Sequence, residues 1–194
     1  MRCAVQIDGA YLERMLSEEH NSPAIDYSKL VNKLVNTVSM NTEPDLQLLR
    51  TFYYHALPWI GKNPSDLEDD MWKKKQGFFT RLEHLPRFDV YLGRTQRIAN
   101  DDGTYSFQQK GVDVMLASHM VMLAATRQVE HIILLAPDGD YVPAVRMVKD
   151  CGAVVHLAHG QRPQASSELI KVVDERIELN NNFLVDCMRN VYTN

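Results

Sequence analysis

The 194-residue sequence predicts an α/β fold in which a mainly parallel central sheet is flanked by helices. Short apolar segments alternate with longer segments of helical periodicity, which is the pattern of parallel strands joined by helical crossovers. The clearest strand, Ile132–Ala136, is continuously apolar and partly β-branched, as expected for a strand buried on both faces. Because no repeat, low-complexity tract or linker divides the chain, we expect one domain over residues 1–175 and a tail, 176–194, packed on it.

Composition restricts the functional classes. The formal net charge of −4 indicates no strongly basic surface, so whole-chain charge does not point to nucleic acid, although a local basic face is compatible with it. No apolar stretch is long enough to span a bilayer, and the N-terminus lacks the apolar core of a signal peptide, which predicts a cytoplasmic protein without a membrane partner. The three cysteines have no metal-ligand spacing, so we expect no disulfide, and Cys3 and Cys151 to be buried.

The N-terminal elements follow from periodicity and capping residues. Cys3–Ile7 reads as a strand, and a tight Asp-Gly turn separates it from a helix over Tyr11–Glu19. Asp26 can cap a second helix that has a regular apolar stripe. The aromatic-rich segment Leu48–Ala56 predicts the next strand.

A polar helix is predicted over Ser65–Leu85, because Ser65 and Glu68 have the spacing of a capping box. Three consecutive lysines, 73–75, lie beside Phe78. We interpret the lysines as a solvated face in preference to a phosphate clamp, while RNA contacts remain open because charge and aromatic rings stand together.

A hairpin is predicted next, with strands at Phe88–Ile98 and Thr104–Gln109 around an Asn-Asp-Asp-Gly turn. Arg94, Arg97 and Lys110 cluster along it. This hairpin is therefore the better candidate for holding a phosphate backbone.

The second half of the chain continues the alternation. A long helix is predicted from Lys110 to about Arg127, and the strand Ile132–Ala136 follows. Tyr141–Cys151 is amphipathic and helical, Ala153–Ala158 is a further strand, and Ser166–Val172 is a short helix.

Four acidic residues stand at equivalent places in these elements. Asp8 ends the first strand, Asp138 and Asp140 follow Ile132–Ala136, and Asp113 lies in the first turn of a helix. Open α/β sheets bind ligands at the carboxyl ends of their strands. The alternative is structural, since acids also cap helices and favour their N-termini. Carboxylates without matching bases favour Mg²⁺ or Mn²⁺ over softer metals, and such a site can activate water for attack on a phosphodiester.

Three acidic segments resemble the NYN-domain family of PIN-like ribonucleases. They are IDGAYL (residues 7–12), QKGVDVMLASHM (109–120) and LLAPDGDYVPAV (134–145). The resemblance continues through YYHALP (53–58) and FFTRLEHLPRFDVYLGR (78–94) to about residue 174. It favours the subgroup found as free-standing bacterial proteins.

The resemblance implies a Rossmann-like, PIN-like three-layer fold, a divalent Mg²⁺ or Mn²⁺ ion, and single-stranded RNA as partner. It assigns catalytic and metal-binding roles to Asp8, Asp113, Asp138 and Asp140. A homodimer is compatible with this assignment.

Three positions depart from the family pattern. Tyr11 replaces the usual Asn, His119 replaces a usual Asp, and Ala136-Pro137 replaces a usual Ser-Gly. Tyr11 and His119 are therefore candidates for substrate binding, together with Arg94 and Lys110. Because His119 is six residues beyond Asp113, ideal helix geometry does not place the two on one face, and its position in the site rests on the resemblance alone.

These observations leave three hypotheses. The first is a metal-dependent endoribonuclease with Asp8, Asp113 and Asp138 as ligands, and Asp140 as a further ligand or a residue that orients water. The second, motivated by the three departures, is an RNA-binding or protein-interaction module that has lost turnover. The third treats Asp138-Gly-Asp140 as the motif of a haloacid-dehalogenase-like phosphatase, and it ranks last because that motif belongs on the first strand.

Overall fold

The computed structural model describes residues 1–42 and 44–189, and it confirms the predicted three-layer α/β architecture. A sheet lies between two layers of helices. Within the described residues the strands are β1 Arg2–Asp8, β2 Gln47–Ala56, β3 Phe88–Ala99, β4 Tyr105–Lys110, β5 His131–Leu135, β6 Val154–His159 and β7 Glu175–Glu178. The helices are α1 Gly9–His20, α2 Tyr27–Asn41, α3 Asp66–Glu83, α4 Val112–Ala125, α5 Val142–Asp150, α6 Ser167–Val172 and α7 Asn181–Val185, and a 3-10 turn covers Gly139–Tyr141.

The strand order is β4-β3-β2-β1-β5-β6-β7, and neighbouring strands are parallel except β3 and β4. The chain extends from β1 towards β2 and β3 on one side, and later returns to β5 on the other side of β1. This reversal makes the carboxyl ends of β1 and β5 a topological switch point, where open α/β sheets form their ligand crevice.

Side-chain alternation along β1 divides the core into two layers. Cys3, Val5 and Ile7 pack with α1, α2 and α3, whereas Ala4 packs with α4 and α5. Asp8 has the same parity as Ala4. It therefore ends the strand on the face that α4 covers.

The C-terminal part contains a strand that the sequence did not predict. β7 has the sequence Glu-Arg-Ile-Glu, in which only Ile177 is buried, so apolar alternation gave no signal. It pairs in parallel with β6 at the edge of the sheet. Phe183 and Leu184 of α7 are buried in the apolar layer of α1 and α2. Residues 190–194 of the predicted tail lie outside the described residues.

Two local predictions have different outcomes. The capping box of α3 is confirmed, with reciprocal bonds between Ser65 and Glu68. The prediction that Cys151 is buried is wrong, because Cys151 caps α5 beyond its buried face and is exposed. In the described part of the chain, no helix has the length and apolar character needed to cross a membrane.

Gly9 allows α1 to start directly against β2, and this predicts a sharp contrast between two glycine substitutions. An added Cβ at Gly9 would lie 2.5 Å from the Tyr53 hydroxyl oxygen, and Tyr53 is fully buried. Gly9→Ala should therefore destabilise the protein by about 1–3 kcal/mol through overpacking. Gly77→Ala is the matched control, since the nearest atom is 3.6 Å away and Ala favours a helix by about 0.5–1 kcal/mol. Urea unfolding measures both, and equal midpoints would contradict the packing argument.

Candidate acidic site

Asp8 and Asp138 both lie where a strand ends and a helical segment begins. Asp8 caps α1, with Oδ1 accepting a hydrogen bond from the Tyr11 amide at 3.0 Å. Asp138 caps the 3-10 turn, with Oδ1 accepting from the Asp140 amide at 3.0 Å. Both acids therefore have the structural role that the sequence left open. A carboxylate has about four lone-pair sites, so a capping bond does not prevent it from binding a ligand.

The Tyr141 hydroxyl interacts with three of the predicted acids. It donates a 2.7 Å hydrogen bond to Asp113 Oδ1, which lies in the first turn of α4. Burial raises the pKa of Tyr141 well above its usual range, and the negative charges of Asp8, Asp113 and Asp138 add to the shift. Asp113 therefore contacts this buried phenol, and Asp8 and Asp138 are near enough to act on it electrostatically. Asp140 lies beside them with its side chain exposed.

The Asp8 carboxyl is electrostatically unfavourable when it is ionised. The pKa of this carboxyl is raised to about 6; burial is the largest cause, and the Asp113 carboxylate acts in the same direction. The Tyr11 amide and His55 offset part of this effect. A cation beside Asp8 and Asp113 would favour ionisation of both groups.

The donor set fits a hard cation better than a soft one. All candidate donors are carboxylate oxygens, while Cys3 and Cys187 are buried in the other apolar layer. Across residues 1–42 and 44–189, no three His, Cys, Asp or Glu side chains converge closely enough to hold an ion alone. Mg²⁺ is commonly held by one or two carboxylates, with water and substrate phosphate completing its shell. Asp8 and Asp113 fit that mode.

Arg94 and Lys110 are directly opposite each other in the antiparallel β3–β4 pair. Like charges at such positions destabilise a sheet unless an anion lies between them. Lys110 is the last residue of β4, and α4, whose first turn contains Asp113, begins two residues later. This pair places positive charge on the hairpin that precedes Asp113 in the chain, and a phosphate-binding role for it stays a prediction.

Tyr11 has a structural position. It is 3% exposed, and its hydroxyl oxygen accepts a 3.0 Å hydrogen bond from the Gly160 amide. The same hydroxyl donates to the Pro163 carbonyl at 3.4 Å. Tyr11 therefore joins α1 to the loop after β6, and contact between Tyr11 and a substrate stays a prediction.

His119 packs on the sheet beneath α4. Its Nδ1 lies 3.1 Å from the Tyr54 hydroxyl, and its ring meets Tyr91 edge-on at 4.5 Å. The Tyr54 hydroxyl also accepts a bond from the buried Gln6 amide. His119 is thus part of a polar chain behind the acids, and a substrate-binding role for it stays a prediction.

Sequence reasoning missed a second polar group beside the acids. Glu13 of α1 forms an ion pair with Lys75 of α3, and His55 Nε2 lies 3.2 Å from Glu13 Oε2. Burial opposes ionisation of Glu13, but the bonds with His55 and Lys75 outweigh it and lower its pKa to about 2. A histidine at the carboxyl end of β2 was the available signal. Tyr141 was also missed, although it directly follows the Asp138-Gly-Asp140 motif.

The family model for the NYN domain matches residues 2–180 of this chain. The chain belongs to the NYN-domain family. Its fold is PIN-like, with a mostly parallel sheet between helical layers. A search of curated proteins finds no match.

Two solved structures are similar to this NYN-domain chain. One is a protein of unknown function, VPA0982, from Vibrio parahaemolyticus RIMD 2210633. It is 19% identical with a TM-score of 0.62, over 97% of this chain and 96% of that one, and it supports the fold alone. The other, a putative oxidoreductase from Parabacteroides merdae ATCC 43184, is 14% identical with a TM-score of 0.33, over 92% of this chain and 31% of that one.

The raised pKa of Asp8 predicts a pH-dependent gain in stability for Asp8→Asn. The carboxyl has a pKa of about 6 when folded against an ordinary value of 3.8, so the folded chain holds this proton more tightly. The resulting penalty on folding grows as pH rises from about 4 to 6 and is complete above pH 6. Asp8→Asn should therefore raise stability by about 1–3 kcal/mol at pH 8, and by about half as much at pH 5.

Urea unfolding in a chelating buffer at both pH values measures this difference. Exposed Asp140→Asn is the control and should give no such pH-dependent gain. A gain for Asp8→Asn that is the same at pH 5 and pH 8 would contradict the electrostatic origin.

Proposed function

We propose that this NYN-domain protein is a metal-dependent endoribonuclease that hydrolyses phosphodiester bonds of single-stranded RNA. The observation that carries the proposal is the grouping of acids at the switch point of the sheet: Asp113 accepts the hydrogen bond of the Tyr141 hydroxyl, and the charges of Asp8 and Asp138 act on the same hydroxyl. Membership of the family supports RNA as the substrate.

The residues have distinct roles in this proposal. Asp8 and Asp113 hold Mg²⁺ or Mn²⁺, Asp138 completes the ligand set, and Asp140 is a further ligand or orients the attacking water. The bound ion would supply a Lewis acid and an activated water. Tyr141 fixes the orientation of Asp113 through its 2.7 Å hydrogen bond. Arg94 and Lys110 bind the phosphates of the substrate.

Cleavage by Asp138→Asn tests the proposal directly. The substitution keeps an Oδ1 acceptor for the Asp140 amide, so the turn is preserved while the negative charge is lost. Labelled single-stranded RNA with Mn²⁺ or Mg²⁺ should be cleaved by the wild type, and at least about 100-fold more slowly by the variant. Chelator should abolish cleavage. Equal rates for the two proteins would reject the assignment.

A second candidate function is an RNA-binding module without turnover. It is favoured by the lack of a three-ligand group in the described residues and by the structural positions of Tyr11 and His119. Under this alternative, RNA binds in chelator and no product forms with metal. Metal titration would then give little thermal stabilisation, whereas a binding site stabilises the fold in proportion to its occupancy. The phosphatase interpretation loses support, because Asp138 and Asp140 follow β5.

The basic pair predicts a change in the salt dependence of RNA binding. Each phosphate contact contributes about 0.7 to the slope of log affinity against log salt for a single strand. Replacing both Arg94 and Lys110 by Gln should reduce that slope by about 1.4. The charge-matched control is Arg146→Gln with Lys171→Gln, since both are exposed and lie on helices away from the hairpin. An unchanged slope in the first variant would remove these residues from the substrate site.

A cytoplasmic location belongs to the same proposal, because both the substrate and the divalent ion are found there. A homodimer stays a prediction.

A further inference from the structure

A groove of about 790 Å³ lies beside the acidic site, between α1, α3 and the β3–β4 hairpin. This volume falls within the range of roughly 300–1,000 Å³ that is typical of ligand pockets. We call it the α3 groove. The residues that line it include His55 and Gln109, Phe78 and Phe107, and Arg81 and Arg189.

The charge of the groove is opposite to that of the whole chain. Among the described residues that line it, four are basic and one is acidic, while the chain carries a net charge of −4. The acidic residue, Glu13, is already paired with Lys75 and His55. A concave surface with this excess of positive charge attracts an anionic ligand.

One stripe of α3 supplies both charge and an aromatic ring. Lys74, Phe78 and Arg81 have the spacing i, i+4 and i+7, which places them on one face of the helix. Within residues 1–42 and 44–189, neither Lys74 nor Arg81 forms an ion pair. Arg81 and Arg189 also line a second cavity, together with Asp26 and apolar side chains.

The opposite wall adds an accessible aromatic ring. Phe107 is 58% exposed on β4 and packs against Trp59, with ring centroids 5.8 Å apart. Together with Phe78 it gives the groove aromatic surface on both sides. Aromatic rings beside cations are what proteins use to bind single strands without sequence preference.

His55 links the groove to the acidic site. It lines the groove and is close enough to Asp8 to interact with that carboxylate electrostatically. Gln109, whose amide lies 3.3 Å from His55 Nδ1, immediately precedes Lys110 on β4. Because His55 borders both the groove and Asp8, a strand whose phosphodiester lies at the acids can reach the groove with a neighbouring nucleotide.

We propose that the α3 groove binds the nucleotide next to the scissile phosphodiester of single-stranded RNA, with its base between Phe78 and Phe107 and its outer phosphate at Lys74 and Arg81. This inference rests on the proposed function, because it takes the acidic site as the place of cleavage. An apolar peptide or a protein helix would leave the excess of basic side chains unpaired.

Binding measurements in chelator test the groove separately from catalysis. The probe is a fluorescent single-stranded RNA oligonucleotide, and its affinity is measured by anisotropy. Phe107→Ala, and separately the double variant of Lys74→Gln and Arg81→Gln, should each weaken binding about 10-fold or more. Tyr105→Ala is the matched control on the same strand, since Tyr105 is exposed but does not line the groove. Its affinity should change much less.

Abasic oligonucleotides identify the group that the groove holds. Removing one base next to the cleavage position should weaken wild-type binding as much as Phe107→Ala does, and should have no further effect in that variant. Wild-type affinity in both groove variants, or an equal abasic effect in wild type and Phe107→Ala, would overturn the inference. So would a failure of the wild type to bind RNA both in chelator and with Ca²⁺.

The outcomes separate the two proposals. Groove-dependent binding without any cleavage in Mn²⁺ would reject the nuclease and leave the groove as an RNA site. Metal-dependent cleavage that is unchanged in both groove variants would reject the groove and leave the nuclease.

Discussion

The structure depends on keeping three like charges near one buried hydroxyl at the end of the sheet. Asp8, Asp113 and Asp138 come from a strand end, a helix start and a turn; Asp113 accepts a hydrogen bond from Tyr141, and the other two act on Tyr141 electrostatically. Carboxylates so placed repel each other, and the protein offsets this only in part with capping amides and the Tyr141 hydroxyl. The remaining unfavourable energy is what a divalent cation would relieve.

Helix α1 connects this charged centre to the rest of the fold. Asp8 caps its first turn, Tyr11 fixes the loop after β6, and Glu13 joins α1 to α3 and to the end of β2. These contacts connect one short helix to three other parts of the fold. A shift of α1 would therefore move the acids, the loop after β6 and the α3 groove together. The tight contact between Gly9 and Tyr53 limits such a shift.

The acidic site and the α3 groove have opposite charge on adjacent surfaces. RNA offers both a phosphodiester that needs a cation for reaction and flanking phosphates that bind basic side chains directly. His55 separates the two surfaces, with Glu13 on one side and Asp8 on the other. The raised pKa of Asp8 shows that this carboxylate is only partly compensated in the folded chain, so its ionisation reduces stability.

The sequence by itself determined the order of the elements, the parallel sheet and the four acids at its carboxyl edge. Periodicity, turn residues and caps are local signals, and they specify where a strand ends and which face each residue occupies. The strand β7 was not predicted because its four residues carry only one apolar side chain. Cys151 is exposed, against the prediction, because it follows the last residue of α5 and lies beyond the buried face of that helix. Tertiary structure alone decided that Tyr141 meets Asp113, that Glu13 meets Lys75 and His55, and that α3 and the hairpin enclose a basic groove. Those contacts join residues far apart in the chain, and their geometry is set by how each crossover packs on the sheet.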